Sequence, residues 1–218
     1  MRTAVIFDLD GCLVDSRAVF LSCVAYAFDK LGLEQRTPEE LLPYLGPPFH
    51  LAFGELLGVP PDAPLVASVI AAYRERYATA MLTETTVEPG IPEALATLVP
   101  DHRLAVATSK PKAFAEPLLA AMGIREPFEV IAGPPVSPQP EHKEETLGRA
   151  LRELGSPPRA VMVGDRLFDV RAAHAHEIPC IGVTWGIGST EELTEAGADA
   201  LVASPGELPR AVAVLTDA

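Results

Sequence analysis

Ala4-Val5-Ile6-Phe7-Asp8-Leu9-Asp10-Gly11 decides how the chain is read. Its first four residues are apolar without alternation, the pattern of a strand covered on both faces, and the run stops at two acids and a glycine. Similar short runs return at residues 104–107, 130–132, 160–163, 181–184 and 200–202. Helical spacing fills the intervals at 91–98, 113–122, 142–154, 168–176, 191–196 and 208–215. Strand, turn and helix in repetition build a parallel sheet, because each crossover lays a helix on one face of it. The expected fold class is therefore α/β, with a Rossmann-like doubly wound parallel sheet as its core.

Residues 17–84 interrupt the alternation. Phe20, Val24, Ala27, Phe28 and Leu31 fall at helical spacing before Gly32, and Val66, Val69, Ile70, Tyr73, Tyr77, Ala80 and Met81 repeat the pattern. Pro43, Gly46, Pro47, Pro48, Pro60, Pro61 and Pro64 break the stretch between them into short pieces. An insertion of this size exceeds an ordinary βα connection. An α-helical cap domain over 17–84 is expected, inserted into a catalytic core of residues 1–16 and 85–218.

Composition narrows the partners. The 218 residues carry 17 Lys+Arg against 30 Asp+Glu, a formal net charge of −13, which argues against a nucleic-acid or anionic-membrane surface. No apolar stretch approaches the roughly 18 residues that a spanning helix needs. Cys12, Cys23 and Cys180 are scattered and form no CxxC pair, so reduced thiols and a cytoplasmic location are expected. A monomer or a homodimer fits equally well.

Asp8 and Asp10 stand at i and i+2, which points both carboxylates the same way from the strand end. Two such acids repel unless something positive lies between them, and magnesium, a hard cation that takes oxygen ligands, suits the place. Short acidic turns also cap helices without any metal. Val161-Met162-Val163-Gly164-Asp165 delivers another acid to the same sheet edge, and Asp169 follows one helical turn later. Ligands of open α/β sheets bind outside the carboxyl ends of the strands, so Asp8, Asp10, Asp165 and Asp169 are expected to frame one metal. Asp169 alone would also serve as an acid complementing a helix start. Val106-Ala107-Thr108-Ser109-Lys110 adds two hydroxyls and a cation, and Lys143 opens the next long helix, where a cation is disfavoured unless acids face it. Hydroxyls, amides and ammonium groups are what a phosphoryl group requires.

Taken together, these segments resemble a phosphatase of the haloacid dehalogenase superfamily, in the branch whose helical cap follows the first strand. Phe7-Asp8-Leu9-Asp10-Gly11-Cys12-Leu13-Val14-Asp15-Ser16 is similar to its first motif, and Thr108-Ser109, Lys143 and Gly164-Asp165-Arg166-Leu167-Phe168-Asp169 to the other three, in the right order. Val87-Glu88-Pro89-Gly90 and Gly182-Val183-Thr184-Trp185-Gly186-Ile187-Gly188 resemble segments of phosphoglycolate phosphatase-like members. Gly164-Asp165-Arg166 and Gly46-Pro47-Pro48 resemble 5′-nucleotidase-like ones.

The resemblance implies Asp8 as the nucleophile, Asp10 as the acid and base, and Thr108 or Ser109 with Lys143, beside Leu9 and Gly11, around the phosphate. It implies Mg2+ held by Asp8, the backbone carbonyl of Asp10, Asp165 and Asp169, the last directly or through water. The expected activity is hydrolysis of a small phosphorylated metabolite through an aspartyl-phosphate. A phosphomutase similar to β-phosphoglucomutase would use the same acids and exclude water. A phospho-accepting signalling module also combines acids, a hydroxyl and a lysine, but is shorter and has no cap. Two features depart from the family pattern: Cys12 where threonine is usual, which either packs or supports the loop, and a proline-rich stretch over 133–140. In the cap, Tyr44, His50 and Arg17 are the expected determinants of the leaving group, the alternative being that Tyr44 and Phe49 only pack the cap's own small core.

Overall fold

The computed structural model describes residues 2–136 and 141–216. Residues 137–140 of the proline-rich stretch lie outside the described residues. The chain opens with β1 (Ala4–Phe7) and β2 (Val14–Asp15), followed by helices α1 (Arg17–Leu31), α2 (Pro38–Leu41), α3 (Phe49–Leu57) and α4 (Pro64–Glu84). Next come β3 (Thr86–Val87), α5 (Ile91–Leu98), β4 (Arg103–Ala107), α6 (Lys112–Ala121), β5 (Phe128–Ala132) and α7 (Lys143–Glu153). β6 (Ala160–Gly164), α8 (Leu167–Ala175), β7 (Cys180–Val183), α9 (Thr190–Glu195), β8 (Ala200–Val202) and α10 (Leu208–Thr216) complete it. Two compact units result, one of Met1–Val14 with Val87–Ala218 and one of Asp15–Thr86.

In the first unit, six strands form one sheet in the order β5-β4-β1-β6-β7-β8, and every pairing is parallel. Side chains alternate across a strand, so Val5 and Phe7 enter one apolar layer while Ala4 and Ile6 enter the other. Leu95, Leu118 and Val212 bring α5, α6 and α10 to the first layer; Leu147, Val170 and Leu193 bring α7, α8 and α9 to the second. Covering both faces explains why β1 carries no polar residue. Each such fully buried side chain contributes about 1.5–3 kcal/mol. Strand β5 starts at Phe128 rather than at 130: Glu129 interrupts the apolar run, but its exposed carboxylate pairs with Arg103 of neighbouring β4 at 2.6 Å while Phe128 is buried. The sequence pattern missed β2 and β3, which pair with each other and are two residues each, too short to show a period.

The second unit contains helices only apart from its ends, as the spacing of apolar residues requires. Helices α1 and α4 face each other through Phe20, Val24 and Phe28 on one side and Val69, Tyr73 and Tyr77 on the other, all buried. Tyr73 is the hub of an aromatic cluster, with ring centroids 4.7 Å from Phe49, 6.1 Å from Phe20 and 5.7 Å from Tyr77. Gly32 ends α1 at φ 67°, a left-handed position that glycine takes without strain. Arg17 pairs with Asp15 at 2.8 Å, and Tyr44 and His50 are half-buried.

All three cysteines are free and buried. Among the described residues no helix is long and apolar enough to cross a membrane.

Replacing Phe20, which is fully buried, with alanine should cost about 3–5 kcal/mol of stability by cavity formation. Urea unfolding followed by circular dichroism measures this, and a loss below about 1 kcal/mol would show that the aromatic cluster does not carry the stability of the helical unit.

Candidate active site

In the sheet, β1 and β6 lie side by side while the chain leads outward from them in opposite directions, through β4 to β5 and through β7 to β8. The crossovers diverge there and leave a crevice at the carboxyl edge. Asp8 follows β1 and Asp165 follows β6, so both acids stand at this point. The Asp8 N–H donates to the Val163 carbonyl (2.8 Å), which extends the parallel ladder by one bond and fixes where the Asp8 side chain leaves the sheet.

Asp8, Asp165 and Asp169 are all buried, and one oxygen of each lies within 4.8 Å of the others. Lys143, the first residue of α7, reaches into the group: its Nζ is 2.5 Å from Asp8 Oδ1 and 2.8 Å from Asp169 Oδ1. These carboxylates answer why a cation sits at the helix end that disfavours it. The other oxygen of Asp169 accepts the Arg166 N–H (3.1 Å) at the start of α8. Asp165 Oδ2 accepts the Ile187 N–H (2.7 Å), whereas its Oδ1 is buried with no hydrogen-bond partner among the described residues.

Glycines make room for this crowding. A Cβ on Gly164 would overlap the Asp169 side chain, and one on Gly186 or Gly188 would overlap Asp165. Gly11 has φ 84°, and a Cβ there would strike the Asp165 carboxylate, so both backbone and space demand glycine.

Burial pushes the Asp8 carboxyl up to about 6, against the pull of Lys143, with Asp169 and Asp10 adding repulsion. Burial likewise raises Asp165 well above its ordinary value, reinforced by Asp169 and Asp8 and only partly opposed by the Ile187 N–H. Burial disfavours the charge on Lys143, but Asp169 and Asp8 outweigh it and keep the ammonium protonated. Three acids face one ammonium, so the group is short of positive charge. An all-oxygen set with an unpartnered buried Oδ1 fits a hard divalent cation, which would replace the protons that burial otherwise favours.

The fourth expected acid stands apart. The Asp10 carboxylate pairs with Lys110 at 2.5 Å and is not in the cluster with Asp8, Asp165 and Asp169. Spacing alone could not show this, because a lysine three residues after the end of β4 carries no pattern of its own. Thr108 is buried and Ser109 exposed. The Leu9 carbonyl accepts the Leu13 and Val14 N–H groups (3.0 and 3.1 Å), and the Gly11 N–H donates to Val14 (2.8 Å), so the Gly11 amide is engaged inside the loop. Cys12 is fully buried, and its Sγ donates to the Val163 carbonyl at 3.6 Å. Trp185 anchors its loop by donating from Nε1 to the Cys12 carbonyl (3.1 Å). The role of the Ile187 amide had no sequence signal beyond the two flanking glycines.

A family model for haloacid dehalogenase-like hydrolases matches residues 5–183. The chain belongs to this family. It is 35% identical over 87% of its length to a 5′-nucleotidase of Pseudomonas aeruginosa, of which it covers 86%. It is 37% identical over 86% of its length to the tyrosine-protein kinase PtkA of Mycobacterium tuberculosis, of which it covers 64%. The crystal structure of a predicted phosphatase from Clostridium acetobutylicum is similar to it with a TM-score of 0.90 and 32% identity, covering 99% of this chain and 100% of that one. The haloacid dehalogenase-like chain is thus a hydrolase of the phosphoric monoester class.

Removing Lys143 leaves the three acids without compensation. With divalent ions stripped, Lys143→Met should lose about 3–5 kcal/mol of stability. The loss depends on pH with a definite sign. Because the native pKa of Asp8 is raised from 3.8 to about 6, the folded state holds a proton that the unfolded chain has released, and stability falls as pH rises through that window. Without the ammonium the window extends upward, so the variant should be weakest near pH 8 and recover toward about pH 5 in urea titrations. A pH-independent loss would sink this account.

Proposed function

We propose that the protein is a magnesium-dependent phosphatase that hydrolyses a small soluble phosphomonoester through an aspartyl-phosphate on Asp8. The observation that carries the reading is the buried Asp8 carboxylate at the crevice between β1 and β6, 2.5 Å from Lys143 and clustered with Asp165 and Asp169. Mg2+ would be held by Asp8, Asp165 and the Asp10 backbone carbonyl, with Asp169 bound directly or through water. Bound there, it supplies the positive charge that lets a carboxylate approach an anionic phosphoryl group.

In the first displacement the Asp8 carboxylate attacks phosphorus, the bond from phosphorus to the ester oxygen breaks, and Asp10 gives its proton to that oxygen. In the second, water attacks the phosphorus of the aspartyl-phosphate and Asp10 takes up a proton from it. Inorganic phosphate leaves and both carboxyls are restored. Lys143, with Thr108 or Ser109, holds phosphoryl oxygens as charge spreads over them.

In this reading the core of residues 1–16 and 85–218 carries the chemistry and the cap of 17–84 selects the leaving group through Tyr44, His50 and Arg17. The net charge of −13 favours a small phosphorylated metabolite of the cytoplasm over nucleic acid. A phosphomutase uses the same acids, and release of inorganic phosphate is the measurement that separates the two.

Asp8→Asn keeps the shape of the nucleophile and removes its attack, so phosphate release should fall to background, and excess chelator should do the same to the unmodified protein. Near-normal turnover by Asp8→Asn would exclude the covalent route; full turnover in chelator would exclude the metal. Tyr44→Ala and His50→Ala should change the relative kcat/KM among phosphomonoesters far more than the melting temperature. A common factor for every substrate would make that loop structural.

A further inference from the structure

The proposed chemistry asks different things of Asp8 and Asp10, yet the two are only two residues apart and leave one strand end together. Asp8 must stay with Asp165, Asp169 and the cation they would hold. Asp10 must keep its carboxyl away from that charge, or it becomes one more metal ligand and cannot move a proton. In the structure the separation is made by Lys110, whose Nζ lies 2.5 Å from Asp10 Oδ1 with side-chain exposures of 9% and 18%.

The backbone of Lys110 is fixed from two directions. Its N–H donates to Thr108 Oγ1 (3.1 Å), a local turn at the end of β4. Gly133 approaches so closely that a Cβ on it would overlap the Lys110 carbonyl, and the Lys112 N–H donates to Pro134 (3.1 Å). The lysine's backbone is therefore held through Thr108 after β4 and through Gly133 and Pro134 after β5. An ammonium on so fixed a base gives the Asp10 carboxylate a defined direction, and little water surrounds the pair to weaken it.

We infer that Lys110 is a positioning residue: its ammonium holds the Asp10 carboxyl outside the Asp8, Asp165 and Asp169 group, in the orientation from which Asp10 exchanges a proton with the ester oxygen. The inference rests on the proposed role of Asp10. Lys110 itself forms and breaks no bond.

The test is kcat/KM across substituted phenyl phosphates of one shape, from p-nitrophenyl to p-methoxyphenyl phosphate, with Mg2+ present. This ratio ends at departure of the phenol, a step that needs a proton when the phenol is a poor leaving group and hardly any help when it is a good one. Lys110→Met should lower kcat/KM for p-methoxyphenyl phosphate by about 10–100-fold, a part of the 10²–10⁴-fold that positioned proton transfer supplies, and change p-nitrophenyl phosphate by less than about 3-fold. Asp10→Asn should show the same slope more steeply, and adding Lys110→Met to it should change nothing further. Lys110→Arg should recover part of the loss. Lys110→Gln, one atom shorter, polar and uncharged, serves if the methionine variant does not fold, and melting temperatures are recorded for all. An equal fall for both esters with raised KM, persisting in the Asp10→Asn background, would mean that Lys110 contacts the phosphate, and would overturn the inference while leaving the phosphatase reading intact. An unchanged slope in Asp10→Asn alone would instead remove the proton-transfer role of Asp10, and the role of Lys110 with it.

Discussion

Mutual repulsion among buried carboxylates is the constraint around which the core is arranged. Asp8, Asp165 and Asp169 are brought together by a sheet edge that offers them little water, and among the described residues Lys143 is the cation that pairs with the group. An unpaired buried charge costs several kcal/mol, so the cluster would not persist in a protein selected for stability alone. Its cost is offset by the two apolar layers on either face of the sheet, which hold β1 and β6 in register whatever the acids prefer. Function is thus built on strain that the rest of the fold can bear.

The same constraint explains the small residues around the site. Lys143 reaches the acids from α7, Asp169 from α8 and the Ile187 amide from the loop after β7, so several backbones must approach one point. Gly11, Gly164 and Gly186 are where those approaches would otherwise collide with a carboxylate, and Gly188 where one would collide with the Asp165 backbone carbonyl. With Asp165 Oδ2 tied to a backbone amide, its Oδ1 is the oxygen left to meet a cation.

Much of this was legible in the amino-acid order. Unbroken apolar runs such as residues 4–7 and 160–163 mark strands covered on both sides, and the glycine or acid that ends each marks the carboxyl edge. The three acids of the cluster and Lys143 were readable because each stands at a strand end or a helix start, where direction follows from the element. What escaped depends on tertiary approach. The pairing of Asp10 with Lys110 joins residues one hundred positions apart, and its outcome turns on side-chain reach rather than on spacing. The Ile187 amide is a backbone group, which no residue type announces. The short strands β2 and β3 lie where the chain leaves and re-enters the core, so the helical unit as structured, Asp15–Thr86, exceeds the stretch 17–84 by two residues at each end.

Pairing Asp8 with Lys143 and Asp10 with Lys110 also bears on how, in the proposed mechanism, one short loop serves two tasks. Residues 8 and 10 share a strand end, and geometry alone would give both carboxylates the same surroundings. Lys143 comes from α7 beyond β5, and Lys110 from the turn after β4, so the two cations belong to different elements of the sheet edge. Asp8 is driven upward by burial and neighbouring acids, and so needs a compensating charge to act as an anion. Asp10 is more open, and its carboxyl is turned toward a lysine that is not shared with Asp169. In the proposed mechanism two environments two residues apart let a single peptide present a nucleophile and a proton carrier, and the sheet topology makes them available because Asp165 follows β6 and Lys110 follows β4, the strands that flank β1 on opposite sides.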